Sequence, residues 1–238
     1  MESAHIVKSF DEDLRQIQSM ILEMGGLVEL QINQSVSSLV DRDIELAEKV
    51  RADDKQVDAL DAKIDEATLL TLTLRQPVAD DLRNVVCALK VSSSLERIGD
   101  YAKNIAKRTQ ALANTSSVGT SEKTIRRMGD MVQKMVADVL DAYIKQDVAL
   151  ADELRIRDEE VDHIHNTLFR ELLTYMMEDP RSITPCTHML FIARNLERMG
   201  DHATAIAEQI HYVVTGSLPE EDRPKSDKTP HMMIENEN

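Results

Sequence analysis

The chain has 238 residues, a net charge of −15 and an aromatic content of only 3%. That length is sufficient for one or two domains with hydrophobic cores, and the composition is typical of helices. The negative charge disfavours binding to nucleic acid. We find neither an export signal nor an apolar run of about 18 residues, the length that a membrane span requires. Cys87 and Cys186 stand alone in apolar surroundings. These features predict a soluble, cytoplasmic, helical protein.

Apolar residues recur at helical spacing through the first half of the chain, in three long segments. The first covers about residues 9–40, and the segment Asp41-Arg42-Asp43 offers a cap for the second. The second ends near Pro77, because a proline can stop one helix and begin the next. The third covers about residues 78–112. We therefore predict three long helices in a first unit of residues 1–113.

The second half has the same organisation. A small, polar, glycine-containing segment of residues 114–121 is predicted to be the linker. Three further helices are predicted over about residues 122–145, 148–177 and 185–214, within a second unit of residues 122–216. Residues 217–238 contain three prolines and mixed charge, and we predict that this tail is disordered.

The two halves repeat each other. Residues 95–100 (LERIGD) return at 196–201 (LERMGD), with five of six residues unchanged and an offset of 101. Upstream residues return 104 positions later, as Asp43, Asp54 and Asp58 do at Asp147, Asp158 and Asp162. Two constant offsets indicate an internal duplication. The predicted fold is therefore all-α, with two tandem repeats of an antiparallel three-helix bundle and six long helices.

Each repeat carries acidic residues at helical spacing on its second and third helices. Counted from the turn at Gln76 or Pro180, the two sets lie within two residues of one level, about 3 Å apart. The candidate metal-binding residues are Asp54, Asp58, Glu96 and Asp100 in the first repeat, and Asp158, Asp162, Glu197 and Asp201 in the second. Four convergent carboxylates favour a cation, and oxygen ligands suit hard metals. The alternative is two solvated acidic faces, with Arg97 and Arg198 as counter-charges.

Other chemistry has less support. His163, His165 and His202 follow candidate aspartates and could supply nitrogen ligands. The ExxH segments at 160–163 and 208–211 have the spacing of di-iron sites, but about 12 Å of helix rise separates them, which argues against an oxidase or a ferritin-like protein. No nucleophile elbow, phosphate loop or dinucleotide fingerprint is present. We predict a protein that is not an enzyme, with a metal-dependent phosphohydrolase and a metal-free helical scaffold as alternatives.

Several motifs together resemble the PhoU family of bacterial phosphate-signalling regulators. They are the doubled Leu-Glu-Arg-hydrophobic-Gly-Asp, Arg75-Gln76-Pro77, Asp81-Leu82-Arg83, Met24-Gly25-Gly26 and Asp201-His202-Ala203-Thr204. The resemblance implies a cytoplasmic regulator with two three-helix repeats. Such a protein would contact the ATPase subunit of a phosphate ABC transporter and a phosphate-sensing histidine kinase. It would restrain the phosphate-starvation response when phosphate is plentiful.

The resemblance also implies metal ions as cofactors. Family members can hold iron or zinc clusters through paired E(D)xxxD motifs, and these match the same eight acidic residues. Manganese and magnesium are further candidates. Asn104 continues the first motif whereas Ala205 stands at the matching position of the second, so equal metal affinity of the two sites is not expected. Many methionines and apolar helix faces permit a homodimer, and membrane association is expected only through partner proteins.

Overall fold

A computed structural model describes residues 2–113, 115 and 117–219, with side chains from residue 9 onward. The six predicted helices are α1 (Glu2–Asp41), α2 (Ile44–Arg75), α3 (Ala79–Leu112), α4 (Ser121–Lys145), α5 (Val148–Glu178) and α6 (Ile183–Thr215), with a 3-10 turn at Pro180–Ser182. The first helix begins earlier than predicted. The predicted disordered tail falls mostly on residues 220–238, outside the described residues. Within the described part of the chain, no helix is sufficiently long and apolar to cross a membrane.

Equivalent caps begin the second helix of each repeat. Asp43 accepts a hydrogen bond from the backbone N–H of Leu46, and Asp147 accepts one from Leu150, which satisfies one free N–H in each first turn. The helix ends that precede these caps also agree: Arg42 and Gln146 both adopt the left-handed conformation that commonly terminates helices. These local signals explain why the duplication in the sequence becomes a duplication of helices.

The two repeats share one core. Helices α1, α2 and α3 pack together, as do α4, α5 and α6, and α1 also packs on α4 and α3 on α6. Buried apolar side chains from all six helices form a continuous cluster, which includes Ile21, Ile64, Leu95, Met128, Leu168 and Leu196. The repeats are therefore not independent bodies, and burial between them contributes to the stability of both.

A pseudo-two-fold axis relates the repeats. A Cβ on Gly25 would overlap Leu140, and a Cβ on Gly129 would lie 2.8 Å from Val36 Cγ2. Gly25 is equivalent to Gly129 and Val36 to Leu140, so each contact is the image of the other, as in a symmetric dimer. The α3–α6 pair is antiparallel, since Lys90 Nζ lies 2.9 Å from Gln209 Oε1 near one end of the pair. Near its middle the rings of Tyr101 and His202 lie 5.7 Å apart.

Arg42 connects the turn between α1 and α2 to the linker between the repeats. Its guanidinium donates to the carbonyl oxygens of Leu112 (2.9 Å) and Thr115, and it pairs with Glu122 at 3.0 Å. We expect Arg42→Ala to lower the free energy of unfolding by about 1–2 kcal/mol, because backbone carbonyls lose a charged donor. Thermal unfolding should show a decrease in Tm of about 2–6 °C.

Gln146 provides the matched control for this substitution. It occupies the equivalent position, 104 residues later, and shares the left-handed backbone conformation of Arg42. Among the residues that the structure describes, its amide donates to Asn84 alone, in an exposed bond of 3.2 Å. Gln146→Ala should therefore change the free energy of unfolding by less than about 0.5 kcal/mol. Equal losses for the two variants would show that the Arg42 contacts do not hold the repeats together.

Candidate functional site

The two LERxGD motifs meet at the pseudo-two-fold axis. The Tyr101 ring contacts His202, and the Arg198 guanidinium lies 5.9 Å from the centre of the Tyr101 ring. Burial lowers the pKa of His202, Arg97 and Arg198 lower it further, and Asp201 opposes them. On this face the motifs bind each other through arginine, tyrosine and histidine side chains. The candidate carboxylates lie on the neighbouring sides, between α2 and α3 and between α5 and α6.

In the first repeat, Lys103 connects carboxylates of two helices. Its Nζ lies 2.5 Å from Asp54 Oδ2 on α2 and 3.2 Å from Asp100 Oδ1 on α3. Asp54 is buried, while Asp58 is exposed. Arg97 adds a second positive charge, at 3.5 Å from Glu96 and 3.8 Å from Asp100. The α2–α3 hairpin thus places three of the four predicted residues, Asp54, Glu96 and Asp100, in ion pairs with the side chains of Lys103 and Arg97.

The pKa shifts indicate that these carboxylates interact. Burial raises the pKa of Asp54 more than Lys103 lowers it, and the charges of Asp58 and Asp100 raise it further. Burial also raises the pKa of Glu96, followed by the charge of Asp100 and by smaller contributions from Asp58. The charges of Asp58 and Asp100 therefore act on both Asp54 and Glu96.

The second repeat buries its carboxylates more completely. Asp158, Asp162 and Glu197 are all buried, and Asp201 is partly buried. Arg194 Nη1 donates to Glu197 Oε1 at 2.9 Å. Asp158 Oδ1 lies directly against the backbone of Gly200, where a Cβ would overlap it. The motif glycine therefore allows a carboxylate on α5 to approach α6 beside Asp201.

Two further positions distinguish the sites, and the sequence analysis did not single out either for this comparison. Thr204, which is buried, stands at the position equivalent to Lys103. His165, also buried, stands at the position equivalent to Asp61, whose carboxylate accepts a hydrogen bond from Ser92 at 2.5 Å. The repeat offsets would have revealed both exchanges. The second site thus has a histidine and lacks the ammonium that lies between carboxylates in the first.

The chemistry of the donor set fits a metal ion better in the second repeat. Buried carboxylates with an imidazole nearby in sequence suit iron, manganese or zinc, and Thr204 places no ammonium between them, so the competing cation that the structure shows there is Arg194 on Glu197. In the first repeat a metal would have to displace Lys103 from Asp54 and Asp100. Among residues 2–113, 115 and 117–219, no three His, Cys, Asp or Glu side chains are positioned as a group that could hold a metal. The eight predicted metal-binding residues therefore remain a prediction.

The structure agrees with the rejection of a di-iron site. Glu160 pairs with Arg127 on α4 at 2.7 Å, so it faces away from α6. Glu208 lies 3.9 Å from Arg155, and His211 contacts Ser217 beyond the end of α6. The two ExxH segments therefore point to different surroundings, and they do not share a site.

Known proteins resemble this chain over nearly its full length. The family model described as the PhoU domain matches residues 21–109 and 125–210. A relative from Rhizobium meliloti, "Phosphate-specific transport system accessory protein PhoU homolog", is 46% identical over 96% of this chain and 97% of its own length. A relative of the same name from Caulobacter vibrioides is 48% identical over 94% of this chain and 97% of its own length.

Two crystal structures have the same fold. PhoU from Pseudomonas aeruginosa has a TM-score of 0.85 and 42% identity, over 87% of this chain and all of that one. The phosphate transport system regulatory protein PhoU from Streptococcus pneumoniae has a TM-score of 0.83 and 29% identity, over 89% of this chain and all of that one. Each matched range of the family model lies within one repeat, and both motifs fall inside these ranges. The chain belongs to the PhoU family.

Proposed function

We propose that this protein is an accessory regulator of a phosphate-specific transport system and has no enzymatic activity of its own. The observation that carries the proposal is the full-length similarity to relatives named as accessory proteins of that system. The surface supports it, because the motif residues of the α3–α6 pair bind each other rather than frame a substrate site. A helical body with charged outer faces suits an adaptor that contacts other proteins.

The finer proposal is negative regulation. The protein would contact the ATPase subunit of the phosphate transporter and the phosphate-sensing histidine kinase, and would restrain both uptake and the starvation response when phosphate is plentiful. It would act in the cytoplasm, as a homodimer, and would reach the membrane only through these partners. Sedimentation of the purified protein measures the oligomeric state, and cell fractionation tests the location.

Deleting the gene is expected to raise alkaline phosphatase activity at least tenfold in cells grown with abundant phosphate. The physical reason is that the kinase would lose the partner that holds it in its inactive state. The enzyme activity of washed cells measures this directly, and wild-type protein supplied from a plasmid should restore repression. Full repression in the deletion strain would contradict the proposed negative regulation.

We also propose that the carboxylates of both repeats bind metal ions as structural or sensing elements, with the second repeat as the stronger site. Asp158, Asp162, Glu197 and Asp201 would hold the ion there, and Asp54, Asp58, Glu96 and Asp100 in the first repeat. A bound cation would neutralise these carboxylates and join the two helices that carry them. Iron, zinc, manganese or magnesium would be compatible, and metal analysis of freshly purified protein identifies which one is bound.

A further inference from the structure

The turn between α2 and α3 exposes a group of apolar side chains. We call residues 69–82 the α2–α3 tip. Leu69, Leu70, Leu74, Val78 and Leu82 are each between 41% and 73% exposed. Leu70 and Leu74 lie one turn apart and so share one side of the helix. Single exposed apolar residues are ordinary, but five within fourteen residues indicate a surface that binds another molecule.

The second repeat shows that the fold itself does not require this exposure. Five pairs of equivalent positions have the opposite polarity: Thr68/Leu172, Leu70/Thr174, Thr71/Tyr175, Thr73/Met177 and Leu74/Glu178. In the first repeat the inward threonines are buried and the leucines face outward, whereas in the second the leucine is buried and Thr174 and Glu178 are exposed. Met177 and Ile183 are the second repeat's exposed apolar residues in this region. The outward leucines are thus particular to the first repeat.

The linker between the repeats contacts the end of the second hairpin. Gly119 of the linker packs against the Tyr175 ring, and Thr120 Oγ1 donates to Glu171 Oε1 at 3.0 Å. The residues of the first repeat that correspond to this linker belong to α1, which continues as a helix. In the first repeat α1 contacts the α2–α3 tip there through the Asp13–Arg75 pair, and the apolar side chains of the tip remain exposed.

Acidic residues surround the tip on all three helices of the first repeat. They are Asp11, Glu12 and Asp13 on α1, Asp65 and Glu66 on α2, and Asp80 and Asp81 on α3. Arg75 of the tip and Arg83, which directly follows it, already pair with members of this set, Arg75 with Asp13 at 2.8 Å and Arg83 with Asp80. This charge repels a second copy of the same tip and an anionic lipid surface. Residues 220–238 contain six acidic and three basic residues, so they do not complement it either.

We propose that the α2–α3 tip docks its leucines into an apolar groove, rimmed by lysine or arginine, on a protein partner. Burial of Leu70 and Leu74 would supply the affinity, and the acidic rim would orient the complex and accelerate association. The proposal rests on the proposed function in requiring a protein partner, and it adds which surface of the adaptor is used. It also gives the two repeats different tasks, because only the first presents this surface.

Exchanging the leucines for their second-repeat counterparts tests the proposal. The variant Leu70→Thr/Leu74→Glu changes exposed side chains only, and Leu30→Thr/Ile156→Glu makes the same chemical change at exposed positions of α1 and α5. The probes are the purified ATPase subunit of the phosphate transporter and the cytoplasmic part of the histidine kinase. The tip variant should bind at least one probe at least tenfold more weakly than wild type, and the control variant should stay within twofold. Equal affinities of the tip variant and wild type would overturn the proposal.

A photo-crosslinking residue, p-benzoylphenylalanine, at position 70 of the full chain in living cells separates the remaining outcomes. A cross-link to a partner segment that is apolar and flanked by lysine or arginine supports the proposal, even if neither probe binds and the proposed partners are wrong. A cross-link to a second copy or to residues 220–238 overturns it, as does the absence of any cross-link. The same variants are also tested on phosphatidylglycerol–phosphatidylethanolamine vesicles. If wild type binds these vesicles and the tip variant does not, the leucines contact lipid, and the proposal is overturned as well.

Discussion

Gly200→Ala is expected to lower the free energy of unfolding by about 2–3 kcal/mol, whereas Gly99→Ala should be nearly neutral. The two glycines occupy the same position of the repeated motif, but their neighbours differ. A Cβ on Gly200 would overlap Asp158 Oδ1, a buried carboxylate with a short side chain. A Cβ on Gly99 would lie 3.0 Å from Gln31 Oε1 and 3.5 Å from Asp54 Oδ1.

In each case the change in the free energy of unfolding is the difference between a gain in helix propensity and a cost in steric overlap. Alanine stabilises the interior of a helix by about 1 kcal/mol relative to glycine, and both variants gain this amount. At position 99 the flexible end of Gln31 can move, so the gain offsets the closer packing. At position 200 the methyl group forces Asp158 away from its buried surroundings, and overpacking together with a displaced charge outweighs the gain.

Thermal unfolding checks this expectation. Gly200→Ala should lower Tm by about 5–10 °C, and Gly99→Ala should shift it by less than about 2 °C. A double-mutant cycle gives the sharper result, because Gly200→Ala should cost much less when Asp158 is already alanine. If the cost of Gly200→Ala is the same in both backgrounds, the contact with Asp158 is not what requires glycine.

Much of the fold followed from the sequence because its signals are local. Helical periodicity, the aspartate cap at 43 and the break at Pro77 are properties of short segments, and the helix ends lie close to the predicted positions. The exception is α1, which begins at Glu2 although the apolar periodicity begins later. Counting residues from each turn then predicted which parts of two neighbouring helices lie side by side, because antiparallel neighbours rise equally from their turn.

Contacts between the repeats could not be predicted in this way. The reciprocal packing of Gly25 on Leu140 and of Gly129 on Val36 depends on where two surfaces cross, and no periodicity within one helix encodes that. The difference between the two acidic sites was visible in the sequence as an exchange of residues at equivalent positions, but a search for carboxylates alone does not detect it. Asn104 and Ala205 led us to expect unequal sites, whereas the structure places the larger differences at Lys103 and Thr204 and in the burial of Asp162.

Lys103→Thr is expected to destabilise the metal-free protein by about 2 kcal/mol. Removing one partner of a fully buried ion pair costs about 3–5 kcal/mol, but the side chain of Lys103 is 40% exposed, so water moderates the loss. The substitution leaves the Asp54 carboxylate buried without its ammonium. It also gives the first repeat the residue that the second repeat has at this position, Thr204.

A metal ion should then take the place of the ammonium. If the first-repeat carboxylates bind cations, added Mn²⁺ or Fe²⁺ should restore the Tm of Lys103→Thr, since a ligand at 100 times its Kd stabilises a protein by about 2.7 kcal/mol. The variant should also retain more metal per chain than wild type, because Lys103 no longer competes for Asp54 and Asp100. The triple variant Lys103→Thr/Glu96→Gln/Asp100→Asn is the control, and because its second repeat is intact, its Tm should respond to metal no more than that of wild type. A Lys103→Thr protein that loses stability, binds no more metal than wild type and gains no more Tm from added metal would show that Lys103 serves the helix pair alone, and that the first repeat has no metal site.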